Sequence, residues 1–265
     1  MAIKLVAVDM DDTLLDHSLA VSPRTCEAIG RAQEQGVMVA IATGRMFSSA
    51  LPYARQLNMQ VPIITYNGGM IRHPQTDEIL YHHTLEYEVA ERLLRLFRER
   101  GWYLQSYVND QLYVEERGEK AKIYEALAGV EAIPLGADFY AMKDCPTKML
   151  SMAEPEELQI IQKTVNELLP GKVFTATSKT TYLELTHPQV NKGHALSLLG
   201  QHLGIRQEEI MAIGDSNNDY PMLEYAGFGV AMGNASERVK SVAQAVTLAN
   251  DAEGVAEAIE KYVLK

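Results

Sequence analysis

The chain has 265 residues, of which 47% are hydrophobic and 22% charged, and its net charge is −11. This is the composition of an ordinary globular protein, and the length allows two domains. The negative charge argues against a nucleic-acid partner, which normally meets a basic surface. No apolar run approaches ~18 residues and the first residues lack a signal-peptide pattern, so we expect a cytoplasmic protein without a membrane span. Cys26 and Cys145 fit no metal or redox motif and are expected to be buried free thiols.

Three apolar runs alternate with two helical patterns in the first third of the chain. Continuous apolar runs are typical of parallel strands, which are buried on both faces. The β-α-β-α-β order predicts a parallel sheet with right-handed crossovers, in which each strand ends in polar or glycine-rich residues at one edge. The runs are 6–8, 37–42 and 62–66, and the helices are expected from Ser22-Pro23 to Gly36 and around 51–57.

A different pattern fills the middle of the chain. A hairpin is expected across 70–81, and the order helix, strand, strand then occurs over 86–114 and again over 156–186. A helix at 117–128 and a strand at 148–153 lie between them, and no element is assigned from Gly129 to Pro146. Because this order does not continue the βα alternation, we interpret residues 84–188 as an inserted α+β domain.

The alternation returns near the end of the chain. Residues 1–83 and 189–265 are therefore predicted to form one α/β domain, a Rossmann-like core around a parallel sheet. The elements expected here are helices at 193–203, around Met222-Leu223 and at 252–263, strands at 209–213 and 228–232, and an edge strand near Val246.

Four loops at one edge of this sheet carry side chains suited to phosphoryl transfer. Asp9 and Asp11 follow the first strand, where crowded carboxylates repel one another and a hard divalent cation such as Mg²⁺ relieves the repulsion. Ligands of open α/β sheets bind beyond the carboxyl ends of the strands. Together the loops supply a nucleophilic carboxylate, a hydroxyl with backbone donors, a cation and a second acidic cluster. The other loops are Thr43-Gly44-Arg45, Asn191-Lys192-Gly193 and Gly214 to Asp219.

Each loop also has a simpler interpretation. Asp12 or Thr13 would be the N-cap of a helix, and Thr43-Gly44 would be a turn. Lys192 would face solvent, as most lysines do.

The remaining polar loops leave similar alternatives. The acids at 215–219 would cap a helix or form a calcium-like loop, although the final acid of an EF-hand is missing. Arg45 would bind substrate or brace Asp219, and we favour bracing. Asn67-Gly68 would contact substrate or form a plain turn.

Taken together, the four loops resemble the motifs of the haloacid dehalogenase superfamily, in the same order and with a long insertion between the second and third. The stretch from Met222-Leu223 through Gly229 to Ala235 resembles the Cof-type branch of small-molecule phosphatases. The resemblance covers essentially the whole chain and is weakest in the insertion. It implies a Rossmann-like core with an inserted cap domain. The matching segments are Asp9-Met10-Asp11-Asp12-Thr13, Thr43-Gly44, Lys192 and Gly214-Asp215-Ser216-Asn217-Asn218-Asp219.

The resemblance assigns a role to each matching residue. It implies that Asp9 attacks phosphorus to form an aspartyl-phosphate, and that Asp11 protonates the leaving alcohol and then deprotonates water. The Mg²⁺ ligands would be the Asp9 carboxylate, the Asp11 backbone carbonyl and Asp215, with Asp219 supporting the site from behind them. The groups that hold the phosphate would be the Met10 backbone N–H, Thr43, Gly44, Lys192 and Asn218.

Asp12 departs from the family's pattern, because glycine is usual there. Aspartate tolerates special backbone angles less well than glycine and adds negative charge near a phosphate site. We expect the departure to affect the local loop geometry and the rate, and not the class of reaction.

The leading hypothesis is a magnesium-dependent phosphatase of small phosphorylated metabolites, in particular sugar phosphates, with the insertion closing over the substrate. A phosphomutase would use the same aspartyl-phosphate and return the phosphate to another hydroxyl. A phospho-receiver module or binding protein without turnover is an alternative from another class, although receiver modules are shorter and lack the insertion. We expect a small phosphomonoester as the partner, no nucleic acid or membrane, and a monomer or homodimer.

Overall fold

The computed structural model describes residues 2–264, which form two compact units. The first unit contains the chain up to Tyr81 and again from Asn191, and the second contains His82–Val190. The chain thus leaves the first unit once and returns to it. No helix within the described residues has the length and apolar character needed to cross a membrane.

The described residues contain fourteen strands and nine α-helices. The strands are β1 (Leu5–Val8), β2 (Met38–Ile41), β3 (Ile63–Thr65), β4 (Met70–Arg72), β5 (Ile79–His82), β6 (Gln105–Val108), β7 (Gln111–Val114), β8 (Ala132–Pro134), β9 (Lys148–Met152), β10 (Phe174–Lys179), β11 (Tyr182–Thr186), β12 (Ile210–Gly214), β13 (Phe228–Ala231) and β14 (Ala245–Val246). The helices are α1 (Pro23–Glu34), α2 (Phe47–Gln56), α3 (Tyr87–Arg100), α4 (Glu119–Ala128), α5 (Pro155–Leu168), α6 (Lys192–His202), α7 (Tyr220–Tyr225), α8 (Glu237–Lys240) and α9 (Gly254–Tyr262).

A five-stranded parallel sheet lies at the centre of the first unit, in the order β14-β13-β12-β1-β2. β1 is fully buried and lies between β12 and β2, so that Val8 is in register with Ile213 on one side and Ile41 on the other. Such burial on both faces is the reason why these strands read as continuous apolar runs. The prediction of an α/β fold with a parallel-sheet core is confirmed.

The helices that lead into and out of this sheet begin as their sequences predict. The Ser22 hydroxyl accepts a hydrogen bond from the Thr25 N–H, and Pro23 opens α1. At the start of α6 the Asn191 side chain accepts a hydrogen bond from the His194 N–H, which fixes the first turn of the helix and places Lys192 in it.

The second unit contains a six-stranded sheet in the order β10-β11-β9-β6-β7-β8. One face is apolar, and Met149, Leu183 and Leu185 pack there with residues of α3 and α5. Lys148 and Glu184 alternate with these residues along their strands, so they belong to the opposite face. The predicted helix-strand-strand order is present twice.

Three sequence-based expectations were wrong or incomplete. β3 was expected in the parallel sheet, but it pairs antiparallel with β4 and is linked to the β2 side by the single bridge between Ala42 and Ile64. The reason is the sharp turn after Thr65, which brings β4 back onto β3. The unassigned span contains β8 and a 3₁₀ turn at 136–141, which are too short for a periodic signal. Neither cysteine is buried, since Cys26 is partly exposed and Cys145 exposed.

Candidate active site

The end of β1 turns sharply and presents the first acidic loop. Asp9 still bonds to the sheet, because its N–H donates to the Ile213 carbonyl at 3.0 Å, but the next residues leave the strand direction. One wide turn follows, closed by hydrogen bonds from the Leu14 N–H to the Asp9 carbonyl and from the Leu15 N–H to the Met10 carbonyl. Asp12 adopts left-handed angles within this turn, with φ 57°. No side chain caps the turn, so neither Asp12 nor Thr13 is an N-cap here.

Lys192 joins the first and last acidic loops. Its ammonium group lies 2.6 Å from Asp9 Oδ1 and 2.6 Å from Asp219 Oδ1, and the lysine is fully buried. Burial alone would lower the pKa of Lys192, but the two carboxylates outweigh it and raise this pKa above its usual range. The lysine is therefore a fixed positive charge inside the site, and the solvent-facing alternative is wrong.

Three carboxylates converge around this lysine. One oxygen each from Asp9, Asp215 and Asp219 lies within 4.8 Å of the others. Burial and the charge of Asp219 raise the pKa of Asp9 well above its ordinary range, in spite of Lys192. Burial and Asp219 likewise raise the pKa of Asp215 to about 7. The cluster therefore takes up protons near neutral pH unless another cation balances it.

The chemistry of this donor set fits Mg²⁺, which prefers oxygen ligands and commonly uses one or two carboxylates. Asp9 and Asp215 would hold the ion. Asp215 is oriented by Thr13, whose hydroxyl donates to Asp215 Oδ1 at 2.7 Å. The carboxylate of Asp11 is not part of the cluster. Its expected contribution is the backbone carbonyl.

Asp219 holds the fourth loop together. Its Oδ2 accepts hydrogen bonds from the backbone N–H groups of Asp215 at 3.0 Å and Ser216 at 2.9 Å, while its Oδ1 accepts from Lys192. Both oxygens of this fully buried side chain are thus engaged by protein groups. This pattern matches a residue that supports the ligands, although one oxygen lies as close to the cluster as theirs do.

Asp11 is held by Arg45. The guanidinium donates from Nη2 to Asp11 Oδ1 at 2.6 Å and from Nε to Asp11 Oδ2 at 2.9 Å. Burial opposes the charge on Arg45, but Asp11 outweighs it and raises the pKa of the arginine. The favoured interpretation, that Arg45 braces Asp219, is wrong: Asp219 is held by Lys192 and backbone amides, and Arg45 reaches the acidic loop instead.

The phosphate-binding candidates lie around the same cluster. Thr43 is fully buried, and its hydroxyl accepts a hydrogen bond from the Arg45 N–H at 3.1 Å. The Asn218 amide donates from Nδ2 to Asn67 Oδ1 at 3.0 Å. Met10 is buried as a whole residue, and the role of its backbone N–H in holding phosphate stays a prediction.

The structure also shows contributors that were not predicted. Thr13 was considered only as a cap, and its contact with Asp215 was missed. Ser216 donates from its hydroxyl to Asn218 Oδ1 at 2.6 Å. Asn234 donates from Nδ2 to the Asp12 carbonyl at 2.9 Å and so fixes the left-handed turn. Thr13 and Ser216 both lie inside the acidic segments, and this position was the only sequence signal that they contribute to the site.

Comparisons with known proteins agree with this geometry. The haloacid dehalogenase-like hydrolase family matches residues 6–259. A Bacillus subtilis protein, 5-amino-6-(5-phospho-D-ribitylamino)uracil phosphatase YcsE, is 33% identical over 99% of this chain and 96% of its own. Phosphatase YwpJ of the same organism is 31% identical over 96% and 97% of the two chains. The crystal structure of a haloacid dehalogenase-like hydrolase from Bacteroides thetaiotaomicron superposes with a TM-score of 0.91, at 34% identity, over 98% of this chain and 99% of that one. The chain therefore belongs to the haloacid dehalogenase-like hydrolase family, and it is a phosphoric monoester hydrolase.

Proposed function

We propose that the protein is a Mg²⁺-dependent phosphatase that hydrolyses small phosphorylated metabolites, in particular sugar phosphates, through an aspartyl-phosphate on Asp9. The observation that carries this proposal is the buried Lys192, which lies 2.6 Å from both Asp9 and Asp219 next to the carboxylate of Asp215. A nucleophile, a fixed cation and two further acids are thereby held in one cluster, in which Asp215 alone is partly exposed.

The metal site would be formed by the carboxylates of Asp9 and Asp215 and the backbone carbonyl of Asp11. When bound, Mg²⁺ would offset the carboxylate and phosphate charges and draw electron density from phosphorus. Thr13 would keep Asp215 oriented, since it donates to one of its oxygens.

The proposed reaction has two steps. In the first, an oxygen of Asp9 forms a bond to phosphorus, the bond to the leaving oxygen breaks, and Asp11 gives that oxygen a proton. In the second, Asp11 takes a proton from water, the water oxygen attacks phosphorus, and the bond to Asp9 breaks. Inorganic phosphate leaves and Asp9 is restored. The phosphate oxygens would be held by the Met10 N–H, Thr43, Gly44, Lys192 and Asn218.

Arg45 affects the role proposed for Asp11. The carboxylate that must exchange protons is engaged at both oxygens, at 2.6 and 2.9 Å. About half of the Asp11 side chain is exposed, whereas only 10% of that of Arg45 is. Asp11 is therefore the more mobile partner, and we infer that it turns from Arg45 towards the leaving oxygen when substrate binds.

The substrate class is inferred from the relatives. The YcsE relative is named for a substrate with its phosphate on a ribityl chain, which is a polyhydroxy carbon chain like that of a sugar. We propose that residues 84–188 act as a cap domain that closes over such a substrate and selects it. A site closed in this way would exclude phosphoproteins. Cytoplasmic location and a monomeric or homodimeric state stay predictions.

The test is phosphate release from a panel of sugar phosphates and other phosphomonoesters, with Mg²⁺ or EDTA, for the native protein and for Asp9→Asn. We expect Mg²⁺-dependent release that falls by about 10³-fold or more in the variant, because the amide cannot act as the nucleophile. A matched control is Asp16→Asn, a partly exposed aspartate in the same segment that lies outside the carboxylate cluster. Release that survives Asp9→Asn would refute the mechanism, and transfer of phosphate without release would indicate a mutase.

A further inference from the structure

A strained turn follows β3. Tyr66, Asn67 and Gly68 have φ values of 54°, 57° and 101°, so three consecutive residues adopt left-handed angles. Residues with side chains rarely do so, and Tyr66 is also bulky and fully buried. Strain of this kind persists only where the surrounding structure fixes it, and it is concentrated at functional sites.

The turn supports the second loop of the site. The Tyr66 N–H donates to the Arg45 carbonyl at 2.9 Å, and the Asn67 N–H donates to the Thr43 carbonyl at 2.9 Å. The Asn67 side chain lies against Gly44 so closely that a β-carbon at position 44 would be 2.8 Å from its Oδ1. The backbone of the Thr43-Gly44 loop therefore lies directly on the strained turn.

The same turn also reaches the third and fourth loops. Asn67 Oδ1 accepts the hydrogen bond from Asn218 Nδ2 at 3.0 Å. At Gly68 any side chain would collide with the carbonyl of Asn191, the residue that precedes Lys192. The turn thus contacts the segments that carry Thr43, Lys192 and Asn218, three of the residues proposed to hold the phosphate.

We propose that Asn67 is a positioning residue that fixes the phosphate-binding groups before substrate arrives. Its backbone N–H holds the Thr43 carbonyl, and its side-chain oxygen orients the amide of Asn218. The left-handed angles allow both contacts at once, because they direct the backbone and the side chain of one residue to two different loops. This inference rests on the proposed function, because the role that it gives to Asn67 is to position the groups proposed to hold the phosphate.

The test is Asn67→Gly, which keeps the left-handed backbone and removes the amide. For p-nitrophenyl phosphate with Mg²⁺, we expect the KM to rise about 10-fold and the kcat to change less than about 3-fold, because ground-state phosphate binding is what is lost. Inhibition by inorganic phosphate should weaken by a similar factor. The matched control is Asn58→Gly. Asn58 is also left-handed, with φ 49°, but it is exposed and its Oδ1 accepts from Gln60 Nε2.

A double-mutant cycle separates positioning from a general structural role. If Asn67 acts through Asn218, Asn67→Gly should raise the KM very little in a protein that already carries Asn218→Ala. Fully additive effects would overturn the inference, as would a KM for Asn67→Gly equal to that of Asn58→Gly.

A second variant keeps the inference testable if Asn67→Gly does not fold. Gly44→Ala keeps the Asn67 side chain, but the new methyl group at position 44 would push the Asn67 amide away. This variant should therefore also raise the KM for p-nitrophenyl phosphate. An unchanged KM would overturn the inference. Where the Asn67→Gly protein does fold, Gly44→Ala should have a smaller effect in it, since the amide that the new methyl group meets is absent.

The two proposals fail in different ways. A native protein that releases no phosphate from any phosphomonoester and binds no inorganic phosphate overturns the proposed function and this inference with it. A native protein that is active, but whose Asn67→Gly and Asn58→Gly variants behave alike, overturns only the role of Asn67.

Discussion

Within residues 2–264 two lysines are buried, one in each compact unit, and their surroundings differ. In the first unit Lys192 lies 2.6 Å from two carboxylates, and a third carboxylate is close by. In the second unit Lys148 pairs with the carboxylate of Glu184 at 3.2 Å. Its ammonium group also lies 4.9 Å from the centre of the Tyr107 ring.

The difference lies in the balance of charge. Lys148 and Glu184 carry one charge of each sign, so the two charges of this pair offset each other. The cluster around Lys192 has more negative than positive charge, and buried charge of one sign is unfavourable unless protons or another cation compensate it. An excess of buried acid beside a buried lysine therefore distinguishes a binding site from a structural ion pair, even though both lysines are almost fully buried.

The largest effect is expected for Lys192→Met. It leaves Asp9 and Asp219 without the cation that they share and removes a proposed phosphate donor, so we expect kcat/KM to fall about 10³-fold. Steady-state kinetics with p-nitrophenyl phosphate would measure the loss.

Lys148→Met is the matched control for this prediction. It leaves Glu184 buried without its cation and should lower the free energy of unfolding by about 3–5 kcal/mol, with kcat/KM changed less than about 3-fold below the melting temperature. Adding Glu184→Leu should restore much of the stability, which denaturant titration would show. Equal losses of kcat/KM in the two lysine variants would contradict the distinction drawn between the two pairs.

The second prediction concerns Mg²⁺ and pH. The pKa of Asp215 is raised from 3.8 to about 7, and that of Asp9 is raised too. In EDTA the folded protein therefore binds more protons than the unfolded chain between these values. The stability that these groups contribute is present below about pH 4 and lost as the pH rises through 7. Mg²⁺ replaces the protons, so the increase in Tm that it causes should grow from pH 6 to pH 8.

Thermal unfolding with EDTA or Mg²⁺ at pH 6, 7 and 8 would measure this increase. Asp215→Asn should remove most of it, because the variant loses both a proposed ligand and a titrating group. The control is Asp77→Asn, an aspartate outside the cluster. An increase in Tm that is the same at all three pH values would contradict the prediction.

The smallest effect is expected for Asp12→Gly. Asp12 has φ 57°, which glycine adopts without strain, so the free energy of unfolding should rise by about 0.5 kcal/mol. Activity should change less than about 2-fold, because the Asp12 side chain is 66% exposed. Leu19→Gly, with φ 61°, is a control outside the acidic loop. An inactive Asp12→Gly enzyme would show that this acid takes part in catalysis.

Much of the fold could be predicted because its signals are local. The buried strands have continuous apolar runs, Ser22-Pro23 begins a helix, and Gly101 ends one in the left-handed conformation expected of a C-cap. The place of β3 could not be predicted. The apolar run of β3 would suit the parallel sheet as well as it suits pairing with β4. Which of the two forms depends on the backbone angles adopted after Thr65.

The residues of the site could be predicted from the sequence, but the contacts between them could not. Four loops with matching residue types identified Asp9, Lys192 and Asp215 as a group. Which carboxylate Arg45 would reach was not predictable, because a long side chain in a loop can extend to either acidic loop. The contact between Thr13 and Asp215 joins residues that are 202 positions apart, and no local pattern encodes such a pair.

That separation affects how the enzyme is made. The strand that precedes Asp9, the proposed nucleophile, is synthesised long before β12, its neighbour in the sheet. At about 5–20 residues per second, a ribosome needs about 10–40 s to bridge 202 positions. The second unit is continuous in sequence and is fully synthesised before β12 exists. Asp9, the proposed nucleophile, therefore meets Lys192 and Asp215 only after the whole second unit has been translated, and until then the nascent chain has no complete candidate site.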